Sequence, residues 1–144
     1  MGVFEEQDIT DVVTVSDVKQ DTGVSPDDFY LSDKENPEEA LDAMLTDWIE
    51  RIESDVLVRI DKTFSDDDKG YHGMRDIILR TVAKMVGTAQ QLRSSPIVQV
   101  DEFTSEVLNT SKVITELNRE LRPFHERRVF MFSSSDPLEG EGDS

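Results

Sequence analysis

The sequence predicts an all-α fold: an antiparallel helical bundle of about three main helices and a short N-terminal helix, with an extended N-terminal arm and a C-terminal β-strand-like arm. Two long stretches with an apolar residue every three or four positions predict the main helices. Clusters of turn residues and two prolines, Pro96 and Pro123, predict where helices stop. An apolar share of 36% beside 33% charged residues is low for 144 residues of packed chain, so part of it is expected outside the core.

The N-terminal arm covers residues 1–13, where no helix period is visible; it reads as a flexible arm or short strand, with Val3 and Phe4 able to anchor on another element. A helical domain is expected over residues 14–123. It opens with one or two turns in TVSDVKQDTG, with Ser16 as N-cap, Gly23 as the residue after the C-cap, and Val15 and Val18 turned inward. VSPDDFYLSDKENP then reads as a polar loop. The first long helix spans residues 37–61. Asn36 caps it, Pro37 suits its first position, and Glu38 and Glu39 favour the positive end of its dipole. Leu41, Leu45, Trp48, Ile52, Val56 and Ile60 recur at spacings of three and four and make one stripe.

FSDDDKGYHG ends that helix. The second long helix is placed at residues 74–95, with Ile77, Ile78, Val82, Met85, Ala89 and Leu92 inward. Gly87 costs such a helix about 1 kcal/mol relative to Ala, and the small residues around it are expected to allow a close neighbour. PIVQVDEFT reads as a short extended link. A third helix is expected over 101–121, with Phe103, Val107, Ile114, Leu117 and Leu121 on one face. Leu45, Trp48, Ile52, Ile78, Met85 and Gly87 are the expected packing residues between helices.

Catalytic signatures are missing. The two histidines, His72 and His125, are far apart in sequence and have no nucleophile near them. SDDDKG invites a calcium-loop reading, but counting from Asp66 puts Tyr71 sixth and Ile77 twelfth, and counting from Asp61 puts Asp66 and His72 there. Neither register supplies the required Gly and Glu. No enzyme activity, metal or cofactor is expected. With no cysteine, disulfides and thiolate sites are excluded. No run is long and apolar enough for a membrane span, and no signal pattern opens the chain, so the reading is of a soluble protein without a cleaved signal.

Thirty-two acidic against fifteen basic residues give a net charge of −17, which disfavours nucleic-acid binding through a basic face. The acids are spread along the chain, Asp outnumbers Glu, and Arg outnumbers Lys. That pattern suits a salt-rich cytosol, where screening weakens self-repulsion, and points to a halophilic source.

Against this background HERRVFMFSSSD, residues 125–136, stands out. Two arginines precede four consecutive apolar residues. As an extended strand it would turn Val129 and Met131 one way and Phe130 and Phe132 the other, so both faces need cover. Residues 124–135 therefore read as a docking arm, with Arg127, Arg128, Val129, Phe130, Met131 and Phe132 as its contacts on a partner or a neighbouring copy. Residues 136–144 read as a disordered acidic tail.

The succession VTVSDVKQDTG, then NPEEALDAMLTDWIERIESDVLVRID, an acidic turn, and GMRDIILRTVAKMVGTAQQLR resembles the head–tail connector adaptor family of tailed viruses, over about residues 14–122. The resemblance is one of layout. It implies a structural virion protein: a ring, dodecameric in that family, joining the portal protein to a stopper or tail-completion protein. Genomic DNA would pass through the lumen without sequence-specific binding. It implies a place in the virion neck, host cytoplasm during assembly, no membrane partner, and, with the acidic composition, a haloarchaeal virus. The arm after residue 124 departs from the family, whose members often end soon after the last helix. The rival reading is an acidic helical regulator, or DNA mimic, binding a basic partner. It uses the same charge but gives VFMF no task.

Screening sets the first expectation. The Debye length falls from about 30 Å at 0.01 M salt to about 3 Å at 1 M. The urea midpoint of unfolding should therefore rise steadily across that range, and a midpoint indifferent to salt would contradict the halophilic reading.

Overall fold

The structure, a computed structural model, describes residues 2–5, 7–29, 35–60, 62–92 and 100–124. These are mostly helical, with no strand among them, so the chain is all-α. The helices are α1 (Ile9–Val12), α2 (Val15–Thr22), α3 (Pro37–Ile60), α4 (Tyr71–Leu92), α5 (Val100–Ser111) and α6 (Val113–Glu120), with a 3₁₀ turn at Pro26–Phe29. The docking arm beyond residue 124, the acidic tail, and residues 93–99 of the expected link lie outside the described residues.

α3 matches its expected span closely. The Asn36 carbonyl accepts the Ala40 N–H at 3.0 Å, starting the helix one residue before Pro37, whose missing N–H costs nothing there. Every member of its predicted stripe is buried, and Met44 and Ile49 widen it. α4 is the hub that covers this stripe, packing against α2, α3, α5 and α6. Leu45, Trp48, Ile52, Ile78 and Met85 are all fully buried. Trp48 carries the largest of these side chains. Its indole N–H donates to Thr104 Oγ1 at 2.8 Å, so α5 satisfies a polar group that the core would otherwise strand. Its ring also stacks on Phe103, with centroids 6.5 Å apart.

Five features differ from the sequence expectations. The cap of α2 is Thr14, not Ser16: Thr14 Oγ1 accepts the Asp17 N–H at 3.0 Å, and Asp17 Oδ2 accepts the Thr14 N–H at 3.1 Å. This reciprocal box satisfies two donors at once, which Ser16 one turn inside could not do. Gly23 closes the helix as expected, at φ 70°, a conformation that favours glycine. α4 starts at Tyr71, three residues before the expected Met74, because the Gly70 carbonyl accepts the Met74 N–H at 2.9 Å.

The expected third helix is two helices. Lys112, at φ 57°, breaks it between α5 and α6. Asn109, Thr110 and Ser111 are weak helix formers, and the break brings Val113, Leu117 and Leu121 into the core together with Val107. Its first residues, from Val100, also claim the end of the expected extended link.

The N-terminal segment is packed, not a free arm. Val3, Phe4, Ile9, Val12 and Val13 are buried, and a parallel bridge pairs Phe4 with Phe64. A four-residue helix and a single bridge are too short to leave a period in the sequence.

Gly87, finally, has no close neighbour among the described residues: a Cβ built there would meet none of them within 4 Å. No described residue makes the tight contact assigned to it from sequence, and the close approach lies at Gly70, where a Cβ would come 2.8 Å from the Phe64 ring. Gly87→Ala should therefore stabilise the protein, by up to about 1 kcal/mol in urea unfolding, because only the helix-propensity gain remains. A destabilised variant would restore the tight-packing reading.

Candidate functional site

The two ends of the described chain meet at one aromatic node. The Phe64 N–H donates to the Val3 carbonyl at 2.8 Å, and the Glu5 N–H donates to the Phe64 carbonyl at 2.7 Å. Phe124 meets Phe64 edge-on with ring centroids 5.7 Å apart, and Tyr71 meets Phe4 in the same way at 5.1 Å. Gly70 leaves the room this needs, since a Cβ there would crowd both Phe64 and Phe124. The Lys62 ammonium stands 5.1 Å from the Phe64 ring centre, a cation–π position. Residue 124, first of the expected docking arm, is thus a packing residue of the body.

Glu53 ties the N-terminal segment to α3. Its Oε2 accepts the Val3 N–H at 2.8 Å, and a side chain at Gly2 would collide with the carboxylate. Burial pushes the Glu53 carboxyl above its ordinary value, partly offset by the Val3 N–H it accepts, while Glu50 and Asp8 add repulsion.

A groove of about 440 Å³ opens beside this clamp, with Asp8, Glu50 and Glu53 in its wall and Phe4 and Ile9 at its base. A second groove, of about 370 Å³, shares Glu50 and Ser54 with the first and continues along α3 past Asp47, Arg51 and Asp55. Together they form an acidic trough along the outward side of α3 and over α1.

The groove between α4 and α6 has a different character. Arg80, Lys84 and Arg119 gather in a groove of about 540 Å³ between α4 and α6. Arg80 pairs with Glu120 and Lys84 with Glu116, and the Lys84 ammonium holds the Glu116 carboxyl below its ordinary value. This groove is close to neutral, so it is a helix-to-helix clasp more than an anion site.

Cations elsewhere bind elements to one another. Lys19 on α2 reaches both Glu38 and Asp42 of α3 at 2.6 Å. Arg75 of α4 donates to the Val12 carbonyl at 2.9 Å and to Asp17 Oδ2 at 3.0 Å. Burial raises the Asp17 carboxyl, but the Thr14 hydrogen bonds and Arg75 outweigh it, and the net shift is downward. Arg59 bonds Asn118, linking α3 to α6.

Of the residues predicted as sites, the helix-packing set lies in the core, except Gly87, which is open; Arg127 to Phe132 lie outside the described residues. Sequence reading noted Phe4 only as an anchor of the N-terminal arm, and it missed Phe64 and Glu53. Isolated aromatics in two polar segments were the available signal for the first two; Glu53 looks like any other acid of α3. His72 is exposed at the start of α4, edge-on to Tyr71 with centroids 5.2 Å apart. Among the described residues no group of three or more His, Asp or Glu is placed to hold a metal, and no helix is long and apolar enough to cross a membrane. What the surface offers is charge and shape.

No family model, curated protein or solved structure matches the chain.

Glu53 gives a pH test with a defined sign. A carboxyl whose folded pKa is raised contributes stability below its unfolded value, near 4.5, and loses it as pH rises through the folded value. Glu53→Gln imitates the protonated form and can still accept the Val3 N–H. It should be more stable than the parent at pH 7, with the difference vanishing as pH falls below the ordinary carboxylate range. Urea midpoints measured across that range check this, and a variant less stable at pH 7 would mean that the charged clamp itself is favourable.

Proposed function

We propose that this protein is a head–tail adaptor of a tailed virus. It assembles as a ring of twelve subunits between the portal protein and a stopper or tail-completion protein, and lets genomic DNA pass through its lumen. The reading rests on one observation: the order of the elements. A capped short helix, a 24-residue helix, an acidic turn and a 22-residue helix follow one another as in the adaptor family that residues 14–122 resemble. In this reading the helices form an antiparallel bundle, and Arg127 to Phe132 form a strand that adds to a sheet edge on the portal or a neighbouring subunit. An acidic lumen serves the passage of DNA because it repels phosphate and gives the duplex nothing to adhere to. The composition adds a haloarchaeal host.

The spread of carboxylates over the surface also favours the rival reading, an acidic regulator that occupies the DNA-binding face of a basic partner. Imaging the purified chain mixed with its portal separates the two. The adaptor reading expects a ring on the portal's clip, lost when the chain is truncated after residue 124. A chain that ignores the portal but binds a basic host protein tightly supports the regulator. A truncated chain that still forms rings on the portal removes the arm as the anchor and leaves the adaptor assignment standing.

A further inference from the structure

We propose that Lys112 is a hinge, and that α6 swings about it to seat on the α4 of a second copy of this chain, in exchange for that copy's α6. The inference goes beyond the adaptor reading and does not rest on it.

Three observations carry it. The first is strain at the break. Lys112, at φ 57°, is the one non-glycine residue at positive φ among the described residues, and a Cβ makes that conformation unfavourable. Helical hydrogen bonds stand on both sides of it. The Lys112 N–H donates to the Leu108 carbonyl at 3.2 Å, and the Glu116 N–H donates to the Lys112 carbonyl at 3.4 Å. Rotating this one residue into the right-handed region therefore joins α5 and α6 into a single helix, about 32 Å long at 1.5 Å per residue. The periodicity of residues 101–121 fits that helix as well as it fits the broken one.

The second observation is polar, and it lies at the same place. α6 begins without a side-chain cap. In one continuous helix the N–H groups of its first turn would find acceptors in the carbonyls of Asn109, Thr110 and Ser111. The Ser111 hydroxyl is buried beside the break and has no hydrogen-bond partner among the described residues. Opening the break returns it to water, where it is satisfied.

The third is the seat. Val113, Leu117 and Leu121 are buried, and α6 is clasped to α4 by Arg80–Glu120 and Lys84–Glu116, each at 2.5 Å. α5 is held separately, through the hydrogen bond of Thr104 to Trp48. With α5 fixed, a straight continuation carries α6 off its seat and bares its apolar face. A second copy can cover that face, because its own α4 offers the same residues and the same charges once its α6 has left. Phe124 travels with α6 and meets Phe64 of the second copy. The exchanged pair thus keeps the contacts of α6 and loses the strain at Lys112, and a short strained hinge invites such an exchange. Association costs freedom of motion, and two chains of net charge −17 repel, so the exchanged dimer grows with protein concentration and with salt.

The test is charge complementation in the full chain. Lys84→Glu sets two carboxylates against each other in the clasp, and Glu116→Lys sets two ammonium groups there. Mixed in equal amounts, the two variants restore both pairs only by exchanging α6. Native mass spectrometry should then show heterodimer in excess of either homodimer by roughly tenfold, as two restored exposed pairs would give. With one variant isotope-labelled, filtered nuclear Overhauser contacts should connect α6 of one copy to α4 of the other. Adding Lys112→Gly to both variants removes the strain of the closed form and should lower the heterodimer roughly fivefold. Unchanged amide signals from α3 show that each variant is folded. A mixture that stays monomeric overturns the exchange. A heterodimer without the contacts between copies, or one indifferent to Lys112→Gly, overturns α6 as the exchanged element. Should either variant fail to fold alone, the parent chain decides: at millimolar concentration its dimer should show the same contacts between copies, and a chain that remains monomeric there overturns the proposal. None of these results bears on binding to the portal, so the two readings fail independently.

Discussion

A single apolar stripe on α3 must be hidden from water by a chain with seventeen excess negative charges. Everything else in the fold answers that constraint. α4 covers the stripe along its length, and α1, α2 and α5 close over what α4 leaves. Removing a buried side chain as large as Trp48 costs about 3–5 kcal/mol, whereas an exposed ion pair contributes about 0–1 kcal/mol. The hydrophobic term therefore decides the fold, and charge decides what the surface tolerates. The one polar demand inside the stripe, the Trp48 indole N–H, is met by Thr104, and this fixes which turn of α5 faces α3.

The basic residues are few, and most of those described are placed between elements. Lys19 joins α2 to α3, Arg75 joins α4 to the α1–α2 turn, Arg59 joins α3 to α6, and Arg80 and Lys84 join α4 to α6. Each sits where two acidic elements would otherwise repel at close range. On the side of α3 that faces α1 no such cation among the described residues pairs Glu53, and burial first, with Glu50 and Asp8 adding repulsion, lifts its carboxyl. The uneven distribution of cations, more than the net charge, distinguishes the groove between α4 and α6 from the grooves on α3.

The aromatic node of Phe4, Phe64, Tyr71 and Phe124 joins segments that lie far apart in sequence. It sets the N-terminal segment into the core and seats Phe124 against Phe64.

The sequence by itself determined the all-α class, the extent of α3, the inward face of α4 and the glycine stop of α2. These follow from local rules: a period of three to four over many turns, proline at a first helical position, and glycine at positive φ. The tertiary structure decided the rest. It placed Val3 and Phe4 in the core, because a bridge to Phe64 is a contact across sixty residues with no local signature. It broke the third helix at Lys112, because sending Val107 and Val113 into one core outweighs an unbroken backbone. It denied Gly87 its neighbour and gave one to Gly70, since only the path of the surrounding chain fixes which glycine is crowded. It also singled out Glu53 among the acids of α3, because a carboxylate acquires a role from the N–H that reaches it, and that N–H belongs to Val3.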